Sequence, residues 1–81
     1  MPQEFIFETL LFYKGTPCYY KIYLSDKDYY GIPVPHHYYN KTEFPCFIVR
    51  INRNQIQVKG ISDETMIQEI GSEFEKHLLV V

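Results

Sequence analysis

The chain has 81 residues, of which 46% are hydrophobic and 22% charged, and its formal net charge is −2 at pH 7. This length predicts a single domain over residues 1–81, and the composition is that of a globular protein, which argues against intrinsic disorder. The acidic balance argues against a protein that binds nucleic acid through a general positive field, so nucleic acid is not expected as a partner.

The apolar stretches and the start of the chain indicate neither a membrane-spanning segment nor a secretory signal. The longest apolar stretches, such as Thr9–Tyr13 and Leu78–Val81, are too short to span a bilayer. The first residues are acidic and lack the basic segment of a secretory signal. We therefore expect a cytoplasmic protein with no membrane partner. Cys18 and Cys46 do not make a disulfide framework and are expected to be small buried thiols.

Two β-rich runs, Phe5–Tyr13 and Cys18–Leu24, are separated by a Lys-Gly-Thr-Pro turn signal and predict a hairpin. Because Pro17 cannot donate a closing hydrogen bond, we expect a four-residue loop that sets Tyr13 opposite Cys18. One face of this hairpin is then a core face. It carries Phe5, Phe7, Leu11, Tyr13, Cys18, Tyr20, Ile22 and Leu24.

The other face of the first hairpin is also mainly apolar. It carries Ile6, Glu8, Leu10, Phe12, Tyr19, Lys21 and Tyr23. A short third strand, Tyr29–Ile32, follows a polar turn and sets Tyr29 beside Leu24, so that Tyr30 and Ile32 extend this second face. A sheet with one face in water would alternate apolar and polar residues. The first three strands therefore predict two surfaces to cover rather than one.

The second half of the chain shows the ordinary pattern of a half-buried hairpin followed by a helix. The strands Cys46–Ile51 and Gln55–Lys59 turn at Arg-Asn, which pairs Ile51 with Ile56 and leaves a mostly polar outward set that includes Ile48. An apolar stripe at helical spacing then predicts an amphipathic helix over Asp63–Leu78.

The sequence also predicts the start of this helix, its closest contact with the sheet and its solvent-facing side. Ser62 is expected as its N-cap. Gly71 lies on its apolar face and is expected where the helix approaches the sheet closely. The helix carboxylates are expected to form a solvated acidic face, with Glu73 and His77 close enough to hydrogen-bond. They are Glu69, Glu73 and Glu75.

Together these segments predict an α+β fold of two layers. The layers are a five-stranded, mainly antiparallel sheet, built from two hairpins plus a short strand, and one C-terminal amphipathic helix on one face. One helix covers one face only. The second face of strands 1–3 is thus predicted to be an interface for a homodimer or a protein partner, because interfaces favour Tyr and Phe at their centres. The predicted interface residues are Ile6, Leu10, Phe12, Tyr19, Tyr23, Tyr30 and Ile32.

The stretch Pro33–Glu43 predicts an irregular loop, which is either functional or a covering flap. Its aromatic and histidine side chains could bind a small ligand or a nucleic-acid segment, since ring faces give apolar platforms and hydroxyls give polar contacts. The candidate ligand-binding residues are His36, His37, Tyr38 and Tyr39.

Catalytic and metal chemistry find little support in the residue pattern. No pair of Cys or His has the short gap typical of a zinc site, so no metal is predicted. No third group is available to orient a histidine beside Cys18 or Cys46, and no cofactor motif is present. The sequence therefore predicts a small non-enzymatic, tyrosine-rich interaction module, with ligand or nucleic-acid binding by the loop as the alternative.

Overall fold

The computed structural model of the chain describes residues 3–34 and 43–79. Five strands form one sheet in the order β1-β2-β3-β4-β5, and every neighbouring pair is antiparallel. The strands are β1 (Glu4–Tyr13), β2 (Thr16–Ser25), β3 (Asp28–Pro33), β4 (Phe47–Asn52) and β5 (Gln55–Lys59). Helix α1 (Glu64–Phe74) follows β5 and runs into a π-helical turn, Glu75–Leu79. The predicted α+β class is confirmed.

Two-residue turns at positive φ hold the first and the last hairpin together. Lys14 and Gly15 have φ values of 51° and 83°, and Arg53 and Asn54 have φ values of 54° and 66°. Two consecutive residues at positive φ match the right-handed twist of adjacent strands, which is why such turns join hairpins. Short turns of this kind join β1 to β2 and β4 to β5, and a short turn also joins β2 to β3.

The register of the first hairpin differs from the prediction by two residues. Leu11 rather than Tyr13 lies opposite Cys18, because the turn uses two residues instead of four. Pro17 lies opposite Phe12, one position beyond the closing pair. That position does not exchange hydrogen bonds in an antiparallel ladder, so the missing N–H of proline removes no bond there. A shift of two residues keeps every side chain on its expected face.

A β-bulge near the start of β1 does change the faces. The register shifts between Phe5, opposite Tyr23, and Phe7, opposite Ile22, so Ile6 is the extra residue. Phe5 was predicted on the core face and Ile6 on the second face, and both placements are wrong. Phe5 is exposed on the second face and contacts the Tyr23 ring with its centroid 5.8 Å away, whereas Ile6 packs against the core.

The other predicted registers are confirmed. Tyr29 lies opposite Leu24, and Ile51 lies opposite Ile56. The core forms where one face of the sheet meets α1. The Phe74 ring packs edge-on against Phe7 and Tyr29 with centroids 5.3 and 5.4 Å away. The buried core residues are Phe7, Leu11, Cys18, Tyr20, Ile22, Phe47, Val49, Ile61, Met66, Ile70 and Phe74.

The helix begins and ends differently from the prediction. Asp63 rather than Ser62 is the N-cap, and its carboxylate accepts a hydrogen bond from the Thr65 backbone N–H. The α-helix ends at Phe74, after which the π-helical turn stacks His77 on Phe7 with centroids 4.2 Å apart.

The close approach predicted at Gly71 is also wrong. A Cβ added at Gly71 would meet no atom within 4 Å. The close contact lies instead at Gly31, where a Cβ would overlap the Phe47 ring on the neighbouring strand. No helix within the described residues has the length and apolar character needed to cross a membrane.

Candidate functional site: the open face of the sheet

The face of the sheet opposite α1 carries a group of exposed apolar side chains, which we call the open face. Six of them are between 36% and 52% exposed, and none of the described residues packs over the group. Tyr23 and Tyr30 lie among them and are half-buried. The open face comprises Phe5, Leu10, Phe12, Tyr19, Tyr23, Tyr30, Ile32 and Ile48.

The strand registers arrange the open face in rows across the sheet. One row crosses four strands, because Phe5 lies opposite Tyr23, Tyr23 opposite Tyr30, and Tyr30 opposite Ile48. Cross-strand neighbours of this kind have Cβ atoms about 5 Å apart and contact each other directly. The row therefore forms a continuous apolar ridge over β1–β4.

Six of the seven side chains that the sequence predicts on the second face lie on the open face. Ile6 is the exception, because the bulge turns it towards the core. Two members were missed. Phe5 could not be found from alternation, which a bulge interrupts. Ile48 was visible as an apolar residue in a polar outward set, but only the strand order places it beside Tyr30.

Charged groups lie inside the open face and at one end of it. Glu8 and Lys21 are directly opposite one another on β1 and β2, rather than diagonal as their predicted register implied. At the end of β3 and β4, Arg50 donates two hydrogen bonds to the Asp28 carboxylate, at 2.8 and 3.2 Å. The hydrogen bond from Arg50 holds the pKa of Asp28 below its usual value. The apolar rows are therefore bounded by a fixed ion pair.

The carboxylates of the helix fasten it to the edge strand β1. Glu69 accepts a hydrogen bond of 3.0 Å from the Phe12 N–H, and Glu73 accepts one of 2.8 Å from the Thr9 hydroxyl. Asp63, besides capping the helix, accepts one of 2.8 Å from the Lys14 N–H in the first turn. The solvated acidic face predicted for the helix is therefore wrong for Glu69 and Glu73.

Glu73 is the most connected of these carboxylates. The Lys76 ammonium donates to it at 3.2 Å, and His77 Nε2 lies 3.5 Å from it, as the helical spacing predicted. Burial raises the pKa of the Glu73 carboxyl, but the hydrogen bonds from Thr9 and Lys76 more than offset this, so its pKa lies below the usual value. Because Glu73 is held ionised by fixed donors, it acts as a structural anchor.

The described cysteines and acidic residues offer no assembled reactive centre. Cys18 is buried, and burial raises the pKa of its thiol, which lowers the thiolate fraction available for nucleophilic attack. Cys46 is exposed, contrary to the prediction of a buried thiol. Among residues 3–34 and 43–79, no group of three or more His, Cys, Asp or Glu is arranged to hold a metal ion.

The alternative site predicted in the loop is only partly visible. His36, His37, Tyr38 and Tyr39 lie outside the described residues. Beside the described start of the loop, an open cleft of about 200 Å³ is lined by Lys21, Tyr23, Ile32, Pro33 and Val34. Pockets that hold drug-sized ligands measure about 300–1,000 Å³. The part of the cleft that these described residues line is smaller than such pockets and forms a notch in the open face.

No protein-family model matches this chain, and no curated protein or solved structure matches it either. Function is therefore inferred from the open face itself.

Proposed function

We propose that the protein is a non-enzymatic interaction module that docks a protein surface, either a second copy of itself or another partner, through the open face. The observation that carries this proposal is that the outward apolar side chains of four adjacent strands share one sheet face, and that none of the described residues covers it.

The size of the open face supports a protein rather than a small molecule as its occupant. Strands β1–β4 have 10, 10, 6 and 6 residues, which corresponds to about 500 Å² of sheet at ~3.3 Å per residue and ~4.8 Å between strands. Side chains that stand out from the sheet add accessible area to this footprint. A standard protein interface buries about 800 Å² on each partner.

The composition of the open face also supports a protein as its occupant. Tyr23 and Tyr30 lie near its centre, and Phe5 and Phe12 lie on the edge strand β1. Aromatic side chains are enriched at interfaces, where they bury large apolar areas. The Asp28–Arg50 ion pair lies at one end, where a polar rim is expected. Apolar burial favours association by about 25 cal/mol for each Å² removed from water, and the entropic cost of association is subtracted from this gain.

Sedimentation velocity on the full chain tests the role of the open face. Tyr23→Ser and Phe12→Ser each remove aromatic area from it, whereas Gln68→Ser changes an exposed residue of α1, on the other side of the sheet. We expect the first two variants to weaken self-association by about tenfold or more, with an unchanged circular dichroism spectrum. Gln68→Ser should match the wild type. Loss of folding in Tyr23→Ser would instead mean that the face belongs to the core.

Photo-crosslinking in cells tests for a partner other than a second copy. A photoreactive amino acid at Tyr19, which is 44% exposed, should give a protein adduct of defined mass, and the same probe at Gln68 on α1 should not. A wild type that stays monomeric, together with the absence of any adduct specific to position 19, would contradict the proposal.

The cytoplasmic location expected from the sequence is part of this proposal. Both cysteines are free, as is usual in a reducing compartment. Fractionation of cells that express the tagged chain tests it, and recovery outside the cytoplasmic fraction would contradict it.

A further inference from the structure

Exposure within the open face is concentrated on two strands. Its four most exposed side chains all lie on β1 and β2: Phe5 at 52%, Tyr19 at 44%, Leu10 at 41% and Phe12 at 40%. The apolar area that most needs a cover is therefore centred between these strands.

The same two strands carry a pair of opposite charges. Glu8 on β1 lies directly opposite Lys21 on β2, with apolar neighbours on both sides along the strands. A partner that covers β1 and β2 takes both charges out of water, and this desolvation is offset best where further opposite charges lie close to them. A surface with a cation over Glu8 and an anion over Lys21 meets this need.

The open face itself is such a surface. We propose that the β1 and β2 part of the open face is covered by a second copy of this chain, packed face to face about a twofold axis that lies between the two sheets, parallel to the strands and midway between β1 and β2. This inference rests on the proposed function, since it names the partner of the open face. The axis sets β1 of each copy over β2 of the other, so Glu8 meets Lys21 twice, once on each side of the axis.

The same axis matches the apolar residues. Leu10 lies opposite Tyr19 within one copy, so the twofold axis sets Leu10 of each copy over Tyr19 of the other. Likewise, Phe5 of each copy lies over Tyr23 of the other. Sheets packed face to face cross at about 30°, which keeps contacts near the axis in place.

Other twofold axes fail on charge. An axis perpendicular to the strands through Glu8 and Lys21 sets each residue over its own equivalent, and buries two like-charge contacts. An axis along β1 sets Glu8 over Glu8 of the other copy, and an axis along β2 sets Lys21 over Lys21 of the other copy. An axis between β2 and β3 sets Lys21 over Ile32, which lies opposite it in the sheet. Charge complementarity therefore selects the axis between β1 and β2.

The overlap of two ten-residue strands is about 300 Å² of sheet per copy at ~3.3 Å per residue and ~4.8 Å between strands. Outstanding side chains enlarge the accessible area, but the total stays in the range below about 1,200 Å² that is typical of transient complexes. We therefore expect a reversible dimer with a Kd on the order of micromolar.

Charge reversal on separate chains tests the arrangement. Glu8→Lys alone sets Lys over Lys twice in its own dimer, and Lys21→Glu alone sets Glu over Glu twice. Each variant should therefore associate about tenfold more weakly than the wild type by sedimentation velocity. An equimolar mixture should recover the wild-type affinity within about threefold, because both contacts between the two chains are then attractive. Contacts between positions 8 and 21 within one chain do not change on mixing, so only contact between chains explains a recovery.

The control pair is Glu64→Lys with Lys27→Glu, at exposed positions away from the open face. These variants have the same net charges as the test pair, so they report any general attraction between oppositely altered chains. We expect each control alone, and their mixture, to behave as the wild type does.

The outcomes separate this inference from the proposed function. Recovery on mixing the test pair but not the controls supports the twofold arrangement. A wild-type dimer that Tyr23→Ser abolishes, with no recovery on mixing, overturns the arrangement and leaves the open face as the docking surface. A monomeric wild type with an adduct to another protein at position 19 overturns the second copy and leaves the proposed function standing. A monomer with no specific adduct overturns both.

Discussion

Replacing Gly31 with alanine should destabilise the protein, whereas the same replacement at Gly71 should stabilise it. Gly31 is buried on β3, and the added Cβ would overlap the Phe47 ring on β4. That ring is 1% exposed and lies against the Tyr20 ring with its centroid 5.2 Å away. Tyr20 is itself fully buried, and its hydroxyl donates a hydrogen bond of 2.8 Å to the Pro45 carbonyl. The Phe47 ring therefore cannot move without disturbing a second fixed side chain.

The two replacements have opposite expected effects. Inserting a methyl group into a packed core costs about 1–3 kcal/mol, from which the reduced freedom of the unfolded chain recovers about 0.4–1 kcal/mol. We expect Gly31→Ala to lower the free energy of unfolding by about 1–2 kcal/mol, and Tm by about 5–15 °C in a domain of this size. At Gly71 the methyl group enters open space within a helix, so alanine should add about 0.5–1 kcal/mol.

Thermal and urea unfolding followed by circular dichroism measure both changes. The overlap is tested separately by repeating Gly31→Ala in a Phe47→Leu background, where the smaller side chain should remove at least half of the penalty. Unfolding of Gly31→Ala at the wild-type temperature or above would contradict an overlap between the added methyl group and its neighbours. A penalty of the same size in the Phe47→Leu background would show that the Phe47 ring is not its cause.

Two further predictions concern the carboxylates that join α1 to β1. Asp63→Ala should lower the free energy of unfolding by about 1–2 kcal/mol in urea, because it removes the helix cap and the contact with the Lys14 N–H; a loss no larger than that of the exposed control Glu64→Ala would contradict this. The folded-state pKa of Glu73 is lowered, so its stabilisation is present above the usual Glu pKa of about 4.3 and is lost as the pH falls through the folded value. Urea midpoints should therefore decline more steeply below about pH 4.3 in the wild type than in Glu73→Gln, and parallel curves would contradict the role of Glu73.

Local patterns in the chain predicted most of the sheet correctly. The register of β3 follows from a short polar turn, and that of β4 and β5 from a two-residue turn at Arg53 and Asn54. Alternation has a period of two, so faces can be assigned even when the loop length is wrong. This is why the error of two residues in the first hairpin moved no side chain to the other face.

The errors arise where a feature has no local signature. The bulge at Ile6 interrupts alternation by one residue, and nothing in the apolar run around it marks the position. The bonds from Glu69 and Glu73 to β1 join residues 57 and 64 positions apart. Helical spacing showed these carboxylates to be off the apolar stripe, but it contained no information on which strand would lie beside them.

By itself, the sequence determined the elements, the face assignment of most strands and the excess of apolar residues on the second face. These properties depend on turns and on periodicity, which act over a few residues. Only the tertiary structure decided that Phe5 and Ile48 join Tyr23 and Tyr30 in one row, because this requires a bulge and the meander order of four strands. It also set Glu8 directly opposite Lys21. The excess of apolar residues on this side of the sheet was thus a property of the sequence, whereas the neighbours of each side chain and the position of the charges were properties of the fold.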